Sequence, residues 1–186
     1  MRNLLRKPAT WLLLGVLLVG VVVGLWLFQP WKLVVDRTVD EALPDVAATA
    51  AAPTTSASPS GSDSPSPSRP EVLAEGEFIT HEHDTTGAAQ LVRLPDGRRV
   101  LALRNLNTSN GPDLRVWLTD QKVIPGRDGW HVFDDGKYLG LGRLKGNKGN
   151  QVYAIPESAD LGRYRSVTIW CKRFSVSFGA AEFSPR

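Results

Sequence analysis

The chain has 186 residues, with 22 Lys and Arg against 19 Asp and Glu, so its formal net charge is only +3. The basic residues are spread out and form no run, which argues against a nucleic-acid partner. One cysteine excludes an intramolecular disulfide, and the length allows one ordinary domain with an appendage.

The N-terminal region predicts a membrane anchor. Residues 11–28 read WLLLGVLLVGVVVGLWLF and contain no charged side chain. As a helix this span measures roughly 27 Å, long enough for the hydrocarbon core of a bilayer. Only basic residues precede it, whereas acids outnumber bases in residues 29–45. We therefore expect a single-pass protein of the cell membrane, with residues 1–10 cytoplasmic and the C-terminal domain extracytoplasmic.

A cleaved signal peptide is the alternative. It would need a shorter apolar core and a small-x-small site directly after it. Gln29-Pro30-Trp31 follows the span instead, and the first Ala-rich stretch, at residues 47–52, is too far downstream. The sequence favours a retained signal-anchor helix over residues 11–28.

Residues 46–70 predict a disordered linker. They are almost entirely Ala, Ser, Thr and Pro, and their only charges are Asp63 and Arg69. Such a stretch has no apolar side chains to bury and cannot offset the entropy cost of ordering. We expect a solvated tether between a juxtamembrane segment, residues 29–45, and a folded domain, residues 71–186.

The domain predicts an all-β fold. Residues 91–94 and 100–103 flank a Pro-Asp-Gly turn and read as a hairpin, and further strands are expected at 114–118, 152–155 and 167–171. The glycine-rich stretch that runs through LKGNKGN reads as a strand end and turn. No window shows a helical stripe, so we expect an antiparallel β-sandwich or barrel after the transmembrane helix.

One predicted connection is long. Residues 120–136 separate two strands and contain Trp130 and His131. Loops of this length are uncommon unless they are functional or mobile, and a surface insertion remains the alternative. Trp117 alternates with Val116 and Leu118 and is predicted to face outward.

Motifs for nucleotide binding or hydrolysis are absent, since the chain has no G-x-S-x-G elbow and no Walker loop. His81 and His83 would face one way on a strand, as half of a metal site or with one as an axial haem ligand. Without a third ligand a polar strand end is the favoured interpretation, and we assign no metal site.

The single cysteine lies at a change of strand phase. Val167, Ile169 and Cys171 share one face, and the next apolar set is Phe174, Val176 and Phe178. The inward-facing residues change from odd-numbered to even-numbered positions, so a bulge or tight turn is expected at Lys172-Arg173. Cys171 is then the last inward residue before a kink, either a buried small hydrophobe or a reactive thiol beside two cations.

Three segments resemble the electron transfer DM-thirteen family. They are GPDLRVWL (111–118), LKGNKGNQVY (144–153) and V-x-I-W-C-K-R-F-x-V-x-F-G-x-A (167–181), and the resemblance covers roughly residues 75–183. The family is a small extracellular or periplasmic β-sandwich related to DOMON domains. The resemblance implies a DOMON-like fold in which Cys171 is a redox-active thiol or the ligand of a haem-like group.

The resemblance also places His83 on an early family histidine, as a second cofactor-binding candidate. The cofactor is unknown. The chain has no C-x-x-C-H site, so any haem would be held noncovalently.

Two functions follow from these observations. The first is a membrane-anchored extracytoplasmic electron-transfer domain that acts through Cys171 on an unknown redox or cell-envelope partner. The alternative is a non-enzymatic surface module that binds a carbohydrate, wall polymer or protein through Trp117 and Trp130.

Overall fold

The computed structural model describes residues 8–29, 35–45 and 69–185. The predicted linker, residues 46–70, lies outside the described residues except for its last two. In the described ranges the chain forms one long helix, eleven strands and short 3-10 helices at Arg127–Gly129, Val132–Asp134 and Leu161–Arg163. The long elements are α1 (Pro8–Phe28), β1 (Thr38–Asp40), β2 (Glu71–Glu77), β3 (Ile79–Thr80), β4 (Thr86–Arg93), β5 (Arg99–Asn107), β6 (Leu114–Thr119), β7 (Tyr138–Arg143), β8 (Lys148–Ile155), β9 (Ser166–Cys171), β10 (Val176–Glu182) and β11 (Ser184–Pro185).

Helix α1 matches the predicted anchor. Its window Trp11–Phe28 has a mean hydropathy of 2.6, and none of that window is buried against the rest of the protein. Apolar side chains lie on every side of the helix, so it has no polar face to present to water. By length and composition the helix could serve as a membrane anchor.

The strands form two sheets that pack as a sandwich, as predicted. The first sheet has the order β1-β8-β5-β4-β2-β11, and the second has the order β3-β10-β9-β6-β7. The pairs are antiparallel except for β1 with β8. The predicted hairpin is confirmed as β4 and β5, which are joined by a turn at residues 94–98.

Alternate side chains of the central strands fill the space between the sheets. Leu101 and Leu103 of β5 face Val167 and Ile169 of β9 in one apolar cluster, and all four are fully buried. Burial of each such side chain contributes about 1.5–3 kcal/mol, so this layer is the main favourable contribution to folding.

The outer face of the second sheet is buried as well, which the strand pattern did not predict. Trp117 stacks on Trp170 with ring centroids 5.2 Å apart, and Tyr138 stacks on Trp117 at 3.9 Å. Phe133, from residues 120–136, packs edge-on against Trp170 and is fully buried. Trp117 points away from the core as predicted, but only 7% of its surface is exposed, so it cannot be the exposed binding contact that the sequence suggested.

The described part of the juxtamembrane segment, residues 35–45, belongs to the sandwich. Within this segment, β1 pairs in parallel with the first residues of β8, from Thr38 opposite Lys148 to Asp40 opposite Asn150. The backbone amide of Arg37 donates to Asn147 Oδ1 at 2.7 Å. The linker therefore connects β1 with β2 of the same sheet. Because β1 is already docked, the length of the linker does not determine the distance between α1 and the sandwich.

Glycines before and within β8 allow this close approach. A Cβ atom at Gly146 would collide with the carbonyl of Arg37, and one at Gly149 would collide with the carbonyl of Val39. Gly149 also has a φ of +98°, which favours glycine. The glycine-rich stretch that the sequence suggested was a strand end and turn is thus also the surface that receives β1.

Gly149→Ala should displace the juxtamembrane segment, because the added methyl group occupies the position of the Val39 carbonyl. We expect hydrogen exchange of residues 35–45 to rise about tenfold or more, since their protection depends on docking. Gly142→Ala is the matched control, because Gly142 has a φ of +127° but open space at its Cβ. Equal protection in the two variants would contradict the docking role of Gly149.

The ion pairs that hold the juxtamembrane segment should make its docking pH-dependent. Hydrogen bonding to Lys145 lowers the pKa of Glu41 below its ordinary value of 4.5, and hydrogen bonding to Lys148 lowers the pKa of Asp36 below 3.8. A carboxylate whose pKa is lowered by docking stabilises the docked state above the undocked pKa. That stability is lost as the pH falls through the lowered values.

We therefore expect the juxtamembrane segment to undock progressively on acidification below the ordinary Glu value of 4.5. The amide of Val152 donates to Glu41 Oε2 at 2.7 Å, and its NMR resonance reports this transition. Glu41→Gln should reduce protection of that amide at neutral pH, whereas the exposed control Glu157→Gln should not. An unchanged Val152 amide in Glu41→Gln would rule out the ionic contribution.

Candidate functional site

Cys171 is the last residue of β9 and lies inside the core. It is opposite Leu114 of β6 on one side and Val176 of β10 on the other. No part of Cys171 is exposed, and it belongs to the same apolar cluster as Val167 and Ile169. The predicted inward position is confirmed.

The surroundings of the sulfur act on its charge in opposite directions. Burial raises the pKa of the Cys171 thiol, because a thiolate loses its hydration there. Backbone hydrogen bonding at Phe174, Arg173 and Asp113 acts in the opposite direction, but burial has the larger effect on the pKa. At neutral pH the thiol is therefore protonated.

A tight turn covers the end of β9. Residues 172–175 form this turn, which we call the cysteine turn, and it confirms the predicted break in the strand. Phe174 was predicted to point inward, but it is 46% exposed because the chain reverses before β10 begins. Ser175 has a φ of +50°, a left-handed conformation that is unfavourable for a residue with a Cβ atom.

Residues 120–136 hold the cysteine turn in this conformation. His131 Nδ1 donates to the carbonyl oxygen of Ser175 at 2.6 Å. Just after the turn, the amide of Ser177 in β10 donates to the carbonyl oxygen of Trp130 at 2.8 Å. The long connection is therefore packed against the strands beside Cys171, in contrast to a free surface insertion.

Trp130 does not offer its ring as a surface contact. The side chain packs against the main core cluster and is only partly exposed. Its indole Nε1 is buried and has no hydrogen-bond partner in the described part of the chain. With Trp117 also buried, the structure removes the exposed pair of tryptophans on which the surface-module alternative depended.

The two histidines of the His-Glu-His stretch contact different parts of the molecule. His81 is buried beside Phe133, where its Nε2 donates to the carbonyl of Ile124 at 3.1 Å and its Nδ1 accepts from Ser177 Oγ at 2.7 Å. Burial lowers the pKa of His81, which keeps the ring neutral. The ring of His83 packs against that of Phe178, with centroids 3.9 Å apart and the planes inclined at 40°. Residues 81–83 form a bend after β3, so the predicted shared face is wrong.

His83 and Cys171 lie in the same region but are not joined. Phe178, which His83 contacts, belongs to the core cluster that contains Cys171. The carboxylate of Glu82 is near enough to add to the raised pKa of the thiol. Within the described residues, however, no hydrogen bond connects the imidazole of His83 with the sulfur.

These residues do not fit a haem. An iron ligand needs open space beyond its donor atom, and the sulfur of Cys171 is enclosed by core side chains. The clefts at the ends of the sandwich are lined by other residues. No group of three or more His, Cys, Asp and Glu side chains in the described ranges is arranged to hold a metal ion.

Sequence reasoning missed the residues that hold the site closed. The left-handed conformation of Ser175 had no signal, because the position carries neither Gly nor Asn. The hydrogen bond from His131 joins residues 44 positions apart, and no local pattern encodes it. The length of the 120–136 connection was the one indication that it had a role.

One of three comparisons with known proteins identifies the family of the chain. A protein-family model described as Electron transfer DM13 matches residues 77–183, which is more than half of the chain and includes Cys171 and His83. The comparison with curated proteins found no match, and neither did the comparison with solved structures. The family resemblance expected from the three sequence segments is thereby confirmed.

Substitution of Cys171 should show how much its side chain stabilises the protein by packing. Cys171→Ala leaves a small cavity and Cys171→Ser buries a hydroxyl group, so we expect each to lower the free energy of unfolding by about 1–3 kcal/mol. Urea denaturation of the full chain measures this loss. The exposed control Ser158→Ala should change stability by less than about 0.5 kcal/mol. A Cys171→Ala protein as stable as the parent would contradict the close packing of the sulfur.

Proposed function

The chain belongs to the electron transfer DM13 family, and from that premise we propose that it is a membrane-anchored extracytoplasmic protein that uses Cys171 as a redox-active thiol. Helix α1 supplies the anchor, and the basic residues before it favour a cytoplasmic N-terminus. This topology exposes the sandwich to a compartment in which disulfides persist.

The observation that carries the proposal is the strained turn that covers Cys171. A cysteine that served only as a small hydrophobe would need no strained cover, yet Ser175 in the cysteine turn has a φ of +50°. A short movement of this turn would expose the sulfur while β9 stays in place.

The chemistry that this arrangement supports is thiol–disulfide exchange. Cys171 loses its proton and forms a bond to one sulfur of a partner's disulfide, while the other partner sulfur leaves as a thiolate and takes up a proton. One thiol of a second partner's dithiol then attacks the Cys171 sulfur of this mixed disulfide, and the first partner leaves with both of its sulfurs as thiols. The other thiol of the second partner attacks the new mixed disulfide and closes that partner's own disulfide, while Cys171 leaves as a thiolate and takes up a proton. Two electrons pass in total from the second partner to the first, and Cys171 is unchanged at the end.

The partner implied by this chemistry contains an accessible disulfide or thiol within the cell envelope. With one cysteine in the chain, both the attack and the resolution must involve sulfur atoms from outside the protein. Phe174 on the cysteine turn is 46% exposed and offers apolar surface to such a partner, beside the ring of Phe28.

The cysteine turn should control access to the thiol. His131→Ala removes the hydrogen bond to the Ser175 carbonyl, so we expect alkylation of native Cys171 by N-ethylmaleimide to become about 2- to 10-fold faster. Lys122→Ala, an exposed change in the same connection, should leave the rate unchanged.

The same measurement tests the redox proposal. Native Cys171 should form a mixed disulfide with oxidised glutathione through local opening, so its rate should depend weakly on urea below the unfolding transition. A rate that follows global unfolding in both the parent and His131→Ala would overturn the proposal. It would show that the thiol reacts only when the core is lost.

A further inference from the structure

A polar cleft opens beside the loop that precedes β6. Its volume is about 350 Å³, and its lining includes Arg37 of the juxtamembrane segment, Asn110 and Pro112 before β6, Arg143 at the end of β7 and Lys145 just after it. The cleft thus lies where three separate parts of the chain meet.

Most polar side chains of the cleft already have partners. Asn110 donates to the carbonyl of Val35 at 3.0 Å and accepts from the amide of Gly111 at 2.9 Å. The Lys145 ammonium donates to both oxygens of Glu41 and to the carbonyl of Val152. These groups line the cleft, but most of their hydrogen-bond donors are already used within the protein.

The amide of Asn147 is also used within the protein. Its Nδ2 donates to Asp36 and to the carbonyl of Thr108, both at 2.8 Å, and its Oδ1 accepts from the Arg37 backbone. Both amide hydrogens of this side chain are used, so it has no donor left for an anionic ligand. The remaining capacity of the cleft is therefore in its two arginines.

The guanidinium groups of Arg37 and Arg143 are not neutralised by the protein. Arg37 has no ion pair with the described residues. Arg143 is 3.6 Å from Asp113, but Arg115 is closer to that carboxylate, at 2.8 Å, and the charge of Lys172 also acts on it. One carboxylate faces several cations, so the local charge is positive.

We propose that this cleft binds a phosphate group, with Arg37 and Arg143 as its two cationic contacts. Guanidinium groups present planar sets of N–H donors that match the oxygens of an oxyanion, and they remain charged at every physiological pH. A phosphate offers enough oxygens to accept from two arginines at once. The volume also leaves room for an organic group attached to it.

The membrane supplies phosphate close to this cleft. Val35, which Asn110 holds, is seven residues beyond Phe28, the end of α1, and so lies at most about 25 Å from it. The rings of Phe28 and Phe174 are 6.1 Å apart, which places the cysteine turn beside the end of the helix. The headgroup of an anionic phospholipid is therefore the expected source. That source rests on the anchoring part of the proposed function, whereas phosphate binding itself does not.

The test uses the full chain in a neutral detergent. Inorganic phosphate, added at constant ionic strength, should raise the thermal unfolding temperature of the parent protein. Arg37→Gln and Arg143→Gln should each weaken the apparent affinity about tenfold, and the double variant should show no shift. Arg163→Gln, an exposed arginine without an ion pair in the described ranges, is the matched control and should behave as the parent. Native mass spectrometry should find phosphatidylglycerol, but not phosphatidylcholine, retained by the parent and lost in the double variant.

The outcomes separate the possible sources. If both probes depend on the two arginines, the lipid headgroup is supported. If phosphate binds but phosphatidylglycerol is not retained, the lipid source is overturned and the cleft takes a soluble phosphate ester. If neither depends on the arginines, the site is overturned. Cys171→Ser should lower the unfolding temperature itself, but the rise caused by phosphate and the retention of phosphatidylglycerol should match the parent. Failure of the thiol chemistry would therefore not be mistaken for failure of the cleft.

Discussion

The structure depends most on the burial of β9 from both sides. One face contributes Val167, Ile169 and Cys171 to the core, and the other places Trp170 beneath residues 120–136. β6 and β10 pair with β9 along its two edges. A shift of one residue would exchange a tryptophan for a cysteine in a closely packed layer, so the register has no neighbouring alternative. The position of the thiol follows from this packing and not from any contact that the sulfur makes itself.

The long connection completes that packing. It covers the aromatic layer of the second sheet. It also supplies a hydrogen-bond acceptor to the polar groups that this cover removes from water. His81, Ser177 and Thr168 form a buried hydrogen-bonded series beneath it, which ends at the carbonyl of Ile124 in the connection. Buried polar groups are costly unless they are paired, so the connection and this series stabilise each other. Because the same connection holds Ser175 through His131, the stability of the outer layer extends to the cysteine turn.

Sequence patterns were sufficient to predict a strand wherever one of its faces lies in the core. The alternation at Leu114, Val116 and Leu118 predicted β6, and the change of phase after Cys171 located the cysteine turn. The inward position of Phe174 was wrong because a phase argument counts residues but not the conformation of the turn between them. The docking of β1 could not be read at all, since it joins residues about 110 positions apart and depends on glycines whose role is to lack a side chain. The redox assignment came from the family motifs, because burial alone describes an inert cysteine equally well.

In the extracytoplasmic location that we propose, a single thiol would be exposed to oxidants and to unwanted disulfides. Enclosure in the core lowers both risks, since the thiolate is the reactive form and burial disfavours it. Complete enclosure would also prevent function, unless the cover is the least stable part of the site. Ser175 meets that requirement, because its left-handed backbone raises the energy of the closed turn while the His131 hydrogen bond offsets it. In the function that we propose, the thiol is then protected in the resting protein and released by a local change that leaves β9 in place.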